Sequence, residues 1–203
     1  MNNPYLMERP AGNSTIRLIH AAPQAANVDV YVNENKIVKN FSFKQISSYF
    51  TLPPGKYQID VYPEGNMTEA VISKKIEAVD GKSYTLAVIE GEKHLRLISY
   101  LNEAMVPHNE TKIRFIHLSP DAPAVDIAVP NGDVVFENVS YKQATNYLAL
   151  TPMTIDLEAR VTSTKQIALS LPKLKFRPNV AYSIIAVGYA KEKPELETLI
   201  IKD

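Results

Sequence analysis

The sequence contains the same segment twice. Residues 17–30 read Arg-Leu-Ile-His-Ala-Ala-Pro-Gln-Ala-Ala-Asn-Val-Asp-Val, and residues 114–127 read Arg-Phe-Ile-His-Leu-Ser-Pro-Asp-Ala-Pro-Ala-Val-Asp-Ile. The segments are offset by 97 residues (114 − 17 = 97), and the match continues downstream, where Tyr84 corresponds to Tyr182 at an offset of 98 (182 − 84 = 98). Because one pattern runs through both halves of the 203-residue chain, the sequence predicts two copies of a single domain.

The duplication also predicts how the chain is divided. Residues 1–13 are rich in Asn and Pro and are predicted to be a loose N-terminal leader without chemistry. The first domain is predicted to span residues 14–101 and the second residues 111–203, with residues 102–110 as a linker. A linker this short restricts the relative motion of two domains, so we expect them to pack together or to present one fixed surface.

Each copy shows the alternation that is typical of half-buried β-strands. In residues 28–32 three valines alternate with Asp29 and Tyr31, and the sequence Asn-Glu-Asn at 33–35 follows as a hairpin turn. Short apolar runs of this kind recur about every 8–12 residues, and no amphipathic helix pattern interrupts them. The sequence therefore predicts an all-β fold of two tandem antiparallel β-sandwich domains, with immunoglobulin-like or transthyretin-like topology.

Composition narrows the classes of partner. Lys and Arg number 22, and Asp and Glu also number 22, so there is no excess positive charge to attract nucleic acid. Cysteine is absent, which excludes disulfides, thiolate nucleophiles and cysteine metal ligands. No apolar run is long enough to span a bilayer, and the N-terminus shows no signal-peptide pattern. We expect no nucleic acid partner and no membrane insertion, and an extracellular or cell-surface location if a signal was removed, or a cytoplasmic one otherwise.

The segment at 114–127 resembles the signature of a bacterial family known as domain of unknown function 4397, which reads approximately Arg-hydrophobic-hydrophobic-His-x-Ser-Pro-Asp-Ala-Pro-x-Val-Asp-Val. The first copy departs from this pattern at Ala22, Gln24 and Ala26. The resemblance covers most of the chain, from about residue 15 to its end. It implies tandem domains of exported or envelope proteins without an established enzymatic activity, and it transfers no catalytic residue to this chain.

The histidines at positions 20 and 117 are the sharpest candidates for chemistry, because imidazole serves as a base or a metal ligand near neutral pH. The repeat signature comprises His20, Pro23, Asp29, His117, Pro120, Asp121 and Asp126. Both histidines share a strand face with apolar residues, so we expect their ring nitrogens to bond to the following turn and the signature to be structural rather than binding. Asp121 has no counterpart in the first copy, which leaves room for a role specific to the second domain.

Other site motifs are incomplete. A metal centre needs three or four convergent ligands, and the chain has 4 His, two of them outside the repeated segments, so no metal, cofactor or catalytic residue is predicted. Gly81-Lys82-Ser83 lacks the earlier glycine and the following helix of a phosphate-binding loop, and no Gly-x-Ser-x-Gly elbow occurs.

The sequence as a whole predicts a non-enzymatic binding or structural module of a bacterial cell surface or envelope, with a surface protein or a glycan as its partner. Two alternatives stay open. The 11 Tyr suit a carbohydrate-binding module, in which the outward Tyr31, Tyr49 and Tyr147 would stack on sugar rings. The other alternative is a metal-dependent protein that uses His117 and Asp121. The oligomeric state is not predicted.

Overall fold

The computed structural model describes residues 12–102 and 105–203, and within these ranges all regular structure is β-strand. The first unit contains β1 (Ser14–His20), β2 (Val28–Val32), β3 (Asn35–Phe41), β4 (Phe50–Leu52), β5 (Gly55–Pro63), β6 (Ile72–Ala78), β7 (Ser83–Glu90) and β8 (Leu95–Asn102). The second contains β9 (Thr111–His117), β10 (Val125–Ala128), β11 (Val134–Val139), β12 (Leu148–Leu150), β13 (Thr154–Val161), β14 (Ile167–Lys175), β15 (Val180–Val187) and β16 (Glu197–Lys202). The expected leader lies mostly outside the described residues, as does part of the expected linker.

Each unit is a sandwich of two four-stranded sheets, which confirms the predicted all-β architecture. In the first unit the sheet β4-β1-β7-β8 faces the sheet β3-β2-β5-β6. In the second unit β12-β9-β15-β16 faces β11-β10-β13-β14. The pairs β1–β7 and β9–β15 are parallel, while the other strand pairs are antiparallel. We call the sheets that contain β1 and β9 the inner sheets and the other two the outer sheets.

Alternating apolar side chains fill each sandwich. The three valines of β2 point into the first core, as the sequence predicts, and meet Ile16 and Leu18 of the inner sheet. The second core is built from the corresponding strands, with Phe115 and Ile127 among its fully buried side chains. Each unit thus has a hydrophobic core of its own. Burial of such side chains stabilises a fold by about 1.5–3 kcal/mol each.

A third apolar cluster joins the two units. It comprises Ile19, Ala21, Ala87, Ile89 and Tyr100 from the first unit and Ile116, Leu118, Ile185, Val187 and Ile201 from the second. These side chains lie on the faces of the inner sheets that point away from the sandwich cores. The two inner sheets therefore pack against each other, and β1 and β9 are buried on both faces.

Two arginines cross the boundary between the units. Arg17 of β1 donates from Nε to Thr85 Oγ1 at 2.9 Å within its own unit. Its terminal nitrogens donate to the carbonyl of Lys202 and to the carboxylate of Asp203 in the second unit. Its guanidinium also lies 4.9 Å from the ring centre of Tyr49. The side chain of Asp203 is fully buried, so this ion pair is shielded from solvent.

Arg114 of β9 makes the reciprocal contacts. Its Nε donates to Ser183 Oγ at 2.7 Å, and its terminal nitrogens donate to Leu101 O at 2.6 Å and to Asn102 Oδ1 at 2.7 Å, both at the end of β8. Its guanidinium lies 4.7 Å from the ring centre of Tyr147. The interface thus has approximate two-fold symmetry, because each unit reaches the last strand of the other with the same residue.

Candidate functional site

The signature histidines are buried and bonded to the turns that follow them. His20 Nδ1 accepts from the backbone N–H of Ala22, and His117 Nδ1 accepts from that of Ser119, each at 3.4 Å. His117 Nε2 lies 3.1 Å from Pro123 O, which fixes the tautomer that carries its proton on Nε2. Burial lowers the pKa of both histidines, so they are neutral near pH 7.

The two histidines differ at Nε2. His20 Nε2 is buried and makes no hydrogen bond of ordinary geometry. The carbonyl of Ala26, which corresponds to Pro123 (123 − 26 = 97), still raises the pKa of His20 and partly offsets the effect of burial. The signature prolines, Pro23 in the first unit and Pro120 in the second, lie in this turn, between the strand that ends at the histidine and the next strand.

The signature aspartates hold a backbone irregularity in the neighbouring strand. Asp29 Oδ1 accepts from the backbone N–H of Asn40, and Asp126 Oδ1 accepts from that of Asn138, each at 2.8 Å. Both asparagines have positive φ, 50° and 49°, at a register shift in the strand pairing. The aspartates therefore satisfy an N–H group in the middle of a β-bulge.

A lysine neutralises each of these buried carboxylates, but Lys36 lies in β3 whereas Lys165 lies in the β13–β14 loop. Lys36 Nζ lies 2.7 Å from Asp29 Oδ2, and Lys165 Nζ lies 2.6 Å from Asp126 Oδ2. Burial acts to raise the pKa of each aspartate, and the hydrogen bonds from the lysine and the backbone outweigh it, so both pKa values are lowered. Both carboxylates are charged at neutral pH.

Asp121 fixes a loop of the second unit. Its Oδ1 accepts from the N–H of Ala190 at 2.7 Å and its Oδ2 from that of Lys191 at 3.0 Å. At the same position in the first unit, Gln24 donates its backbone N–H to Glu90 Oε1 at 3.1 Å. Asp121 and His117 thus bind separate backbone groups. Within residues 12–102 and 105–203 no three His, Asp or Glu side chains are grouped so that they could hold a metal ion.

A groove lies at one end of the first sandwich, and we call it the end groove. It consists of two adjoining depressions of about 370 and 700 Å³, lined by residues within 24–28, 63–71 and 90–95. The depressions share Val71 and Leu95 among their lining residues. The groove is therefore built from the loops β1–β2, β5–β6 and β7–β8.

Two of the loops that build this groove differ in length from the matching loops of the second unit. The β5–β6 loop has eight residues (71 − 63 = 8), whereas the matching β13–β14 loop has five (166 − 161 = 5). The β7–β8 loop has four residues (94 − 90 = 4), and the matching β15–β16 loop has nine (196 − 187 = 9). Gly91 makes the short turn possible, because its N–H donates to His94 O at 3.0 Å and a Cβ there would lie 2.4 Å from that oxygen.

The groove combines an apolar floor with a charged rim. We call its apolar lining, formed by Val28, Pro63, Val71 and Leu95, the floor. The ionisable side chains of its lining are Glu69, Glu90, Glu92, Lys93 and His94. Three carboxylates thus line the groove together with one lysine and one histidine.

Glu90 ties the groove to the second unit. Tyr189 Oη donates to its carboxylate, at 2.7 Å from each oxygen, and Tyr141 Oη donates to its backbone carbonyl at 2.7 Å. Gln24 Nε2 also donates across the boundary, to Glu192 Oε2 at 2.9 Å. One wall of the groove is consequently held in place by residues of both sandwiches.

Comparison with models of known protein families identifies the family of this chain. The family model described as "Domain of unknown function (DUF4397)" matches residues 14–128 and 129–203, which together are most of the sequence. The chain belongs to the DUF4397 family. This confirms the resemblance of its repeated segment, and the two adjacent matches agree with tandem copies. No curated protein matches the sequence.

Two solved structures show a distant likeness to this DUF4397 chain. One is a family 26 carbohydrate-binding module of Eubacterium rectale Amy13K in complex with maltoheptaose, with 9% identity, 94% of this chain and 97% of that chain covered, and a TM-score of 0.29. The other is a candidate cell adhesion protein from Bacteroides fragilis, with 9% identity, 95% and 97% coverage, and a TM-score of 0.24. TM-scores this low carry no argument about function.

The tyrosines considered for sugar stacking are engaged within this DUF4397 chain. Tyr31 is only 4% exposed, and its hydroxyl lies 3.1 Å from Met67 Sδ. Tyr49 and Tyr147 each stack on an arginine at the domain interface. Sequence reasoning missed the end groove, because its lining comes from three loops that are far apart in the chain and carry no motif.

Proposed function

We propose that this DUF4397 chain is a non-enzymatic binding module of a bacterial cell surface, with the end groove as its binding site. The observation that carries the proposal is the groove itself. It has an apolar floor, a charged rim and a glycine-dependent turn, and it arises where the two copies differ. Clefts with apolar linings and a few polar groups are the usual sites of ligands.

The scaffold supports this proposal, because loops on a rigid framework are where binding residues concentrate. The interdomain cluster and the reciprocal arginines hold the sandwiches in one arrangement. Residues of the second unit bond to Glu90 and Gln24 in the groove wall. A groove fixed in this way would lose little conformational entropy on binding.

We assign the repeat signature to the fold. The contacts of His20, His117, Asp29 and Asp126 are with the turns and bulges of their own units. Asp121 has the role specific to the second unit of anchoring the β15–β16 loop. His117 and Asp121 bond to different backbone groups, so their contacts do not favour a metal-dependent function.

Glycan binding is the second candidate, on the outer sheet of the first unit. Tyr62 is half-buried there and lies on the same strand face as Asp60, which accepts from Gln58 Nε2 at 3.0 Å and from Ser73 Oγ at 2.7 Å. An aromatic ring beside a polar cluster is a common sugar platform. A glycan array with wild type and Tyr62→Ala tests it: binding abolished by the substitution supports it, and an array without binding removes it.

The groove is tested by sedimentation of the purified chain with cell envelopes of the source organism. Val71 in the groove is 38% exposed, and Ile167, the first residue of β14 after the matching loop of the second unit, is 52% exposed. Wild type and Ile167→Arg should bind envelopes equally, whereas Val71→Arg should bind at least tenfold more weakly. Equal binding by both variants would contradict the site.

Location is tested separately, since cell fractionation that finds the native protein only in the cytosol would contradict the surface role.

A further inference from the structure

We infer that the end groove binds a lysine or arginine side chain of a protein partner, with Glu90 receiving the positive charge. The inference rests on the proposed function, since it names the chemistry of the ligand for the same groove. In this arrangement Tyr189 of the second unit is a positioning residue, because it acts on the ligand only through Glu90. Charge, acceptor capacity and the shape of the floor each support this ligand class.

The charge balance of the rim favours a cation. Glu69, Glu90 and Glu92 line the groove, and Lys93 is the lysine that opposes them. Glu192 of the second unit is a further carboxylate next to the groove, since it accepts from the lining residue Gln24. A cationic ligand would neutralise this excess of negative charge, whereas an anionic ligand would add to it.

Glu90 has acceptor capacity to spare. Its carboxylate oxygens receive hydrogen bonds from Tyr189 Oη, at 2.7 Å, and from the backbone N–H of Gln24, at 3.1 Å. A carboxylate offers about four lone-pair sites, so these two donors leave room for an ammonium or guanidinium group. Glu90 is half-buried, and the reduced screening there strengthens such a contact relative to one at an exposed glutamate.

The floor suits the aliphatic stem of a basic side chain. Three residues of the floor, Val28, Pro63 and Leu95, are buried or half-buried. Lys and Arg commonly bury their methylene stem on such a surface while the charged head reaches a polar partner. A simple cation would leave this floor uncovered, so the geometry favours a side chain.

The second unit prepares the site. Tyr189 lies in the β15–β16 loop, and Asp121 anchors that loop through the next two residues, Ala190 and Lys191. Glu90 is thus held by a chain of contacts that begins in the signature of the other copy. In this arrangement the second copy positions the acceptor group of the first.

The ligand class is tested by NMR titration of the full chain with two blocked pentapeptides, acetyl-Ala-Val-Lys-Val-Ala-amide and the same peptide with norleucine for lysine. The lysine peptide should shift the amide resonances of Gly91 and Ala26 and bind at least tenfold more tightly than the norleucine peptide. Equal affinities would overturn the cation inference and leave the groove as a binding site. Failure of both peptides would also overturn it, while the envelope test with Val71→Arg decides the proposed function independently.

Variants separate recognition of charge from loss of structure. Glu90→Gln should weaken the lysine peptide about tenfold and leave the norleucine peptide unchanged. Tyr189→Phe should weaken the lysine peptide about threefold with the same selectivity, and Lys93→Gln should strengthen it about twofold. Glu34→Gln, an exposed glutamate outside the groove, is the matched control and should have no effect. If Glu90→Gln or Tyr189→Phe weakens both peptides equally, its role is structural and the inference falls.

Discussion

The two units of the chain share the contacts of the repeat signature and differ in the lengths of their loops. In both, the signature histidine accepts from the turn, and the signature aspartate satisfies an asparagine N–H at a bulge. The loops at one end differ in opposite directions: the first unit has the longer β5–β6 loop and the second the longer loop before its last strand. The contacts kept in both copies lie at turns and bulges, and the groove is built from loops that include those of unequal length.

The reciprocal arginines sharpen this comparison, since their partners are not equivalent. Arg17 donates directly to the buried carboxylate of Asp203, whereas Arg114 donates to the neutral amide of Asn102 and lies 3.9 Å from Asp203 Oδ1. Arg17→Ala should destabilise the chain by about 3–5 kcal/mol, because it removes the nearest cation from a buried charge. Arg114→Ala should cost about 1–3 kcal/mol, because the hydrogen bonds that it removes go to neutral groups and Asp203 keeps Arg17 as its direct donor. Urea unfolding measures both, and equal losses would show that the interface does not distinguish its halves.

Lowering the pH should destabilise the protein through the buried histidines of both copies. Their folded pKa values are lowered from 6.5, so the unfolded chain binds more protons than the folded chain between the folded pKa and 6.5. Stability is therefore complete above about pH 6.5 and falls as the pH decreases through this window, by up to about 1.4 kcal/mol per pH unit for each histidine. Urea unfolding at pH 7.5 and 5.5 measures the loss.

His117→Gln should reduce the loss between these pH values by about half, since one of the two titrating groups is removed. Asp29 and Asp126 add a further loss as the pH falls below 3.8, because their folded pKa values are lowered. A stability that is unchanged between pH 7.5 and 5.5 would contradict the placement of both rings.

The smallest difference concerns the position that Asp121 shares with Gln24. Asp121→Ala should cost about 1–2 kcal/mol, since it leaves two loop N–H groups without their charged acceptor. Gln24→Ala should cost less than about 0.5 kcal/mol, because its side chain is exposed. Hydrogen exchange at Ala190 and Lys191 should increase only in Asp121→Ala. Unchanged protection there would contradict the anchoring role.

Much of the fold was predictable from the sequence. The duplication predicts two units, and the alternation of valines around Asp29 and Tyr31 predicts a strand with one core face. These features are local, so a single strand reveals them. Val28–Val32 is buried throughout, however, because Lys36, Asn40 and Met67 cover the side chains that alternation directs outward.

The remainder depends on partners that are distant in the chain. Ile19 reads as the outward face of β1, but it is covered by the other unit, and nothing near it in the sequence specifies that contact. Arg17 is likewise buried by Asp203, 186 residues away. The end groove depends on three loops meeting at one end of a sandwich, which follows from strand order and not from any motif. Among the described residues there is no helix that is long and apolar enough to cross a membrane.

The approximate two-fold symmetry of the interface has a consequence for how such a chain can change. The same patch faces itself across the boundary, which is the geometry that a pair of identical single units would adopt. In such a pair every substitution occurs twice, so a carboxylate at the end of the last strand would appear on both sides. Covalent fusion removes that constraint, and Asp203 on one side can face Asn102 on the other. Duplication thus made the two halves of a symmetric contact independently variable.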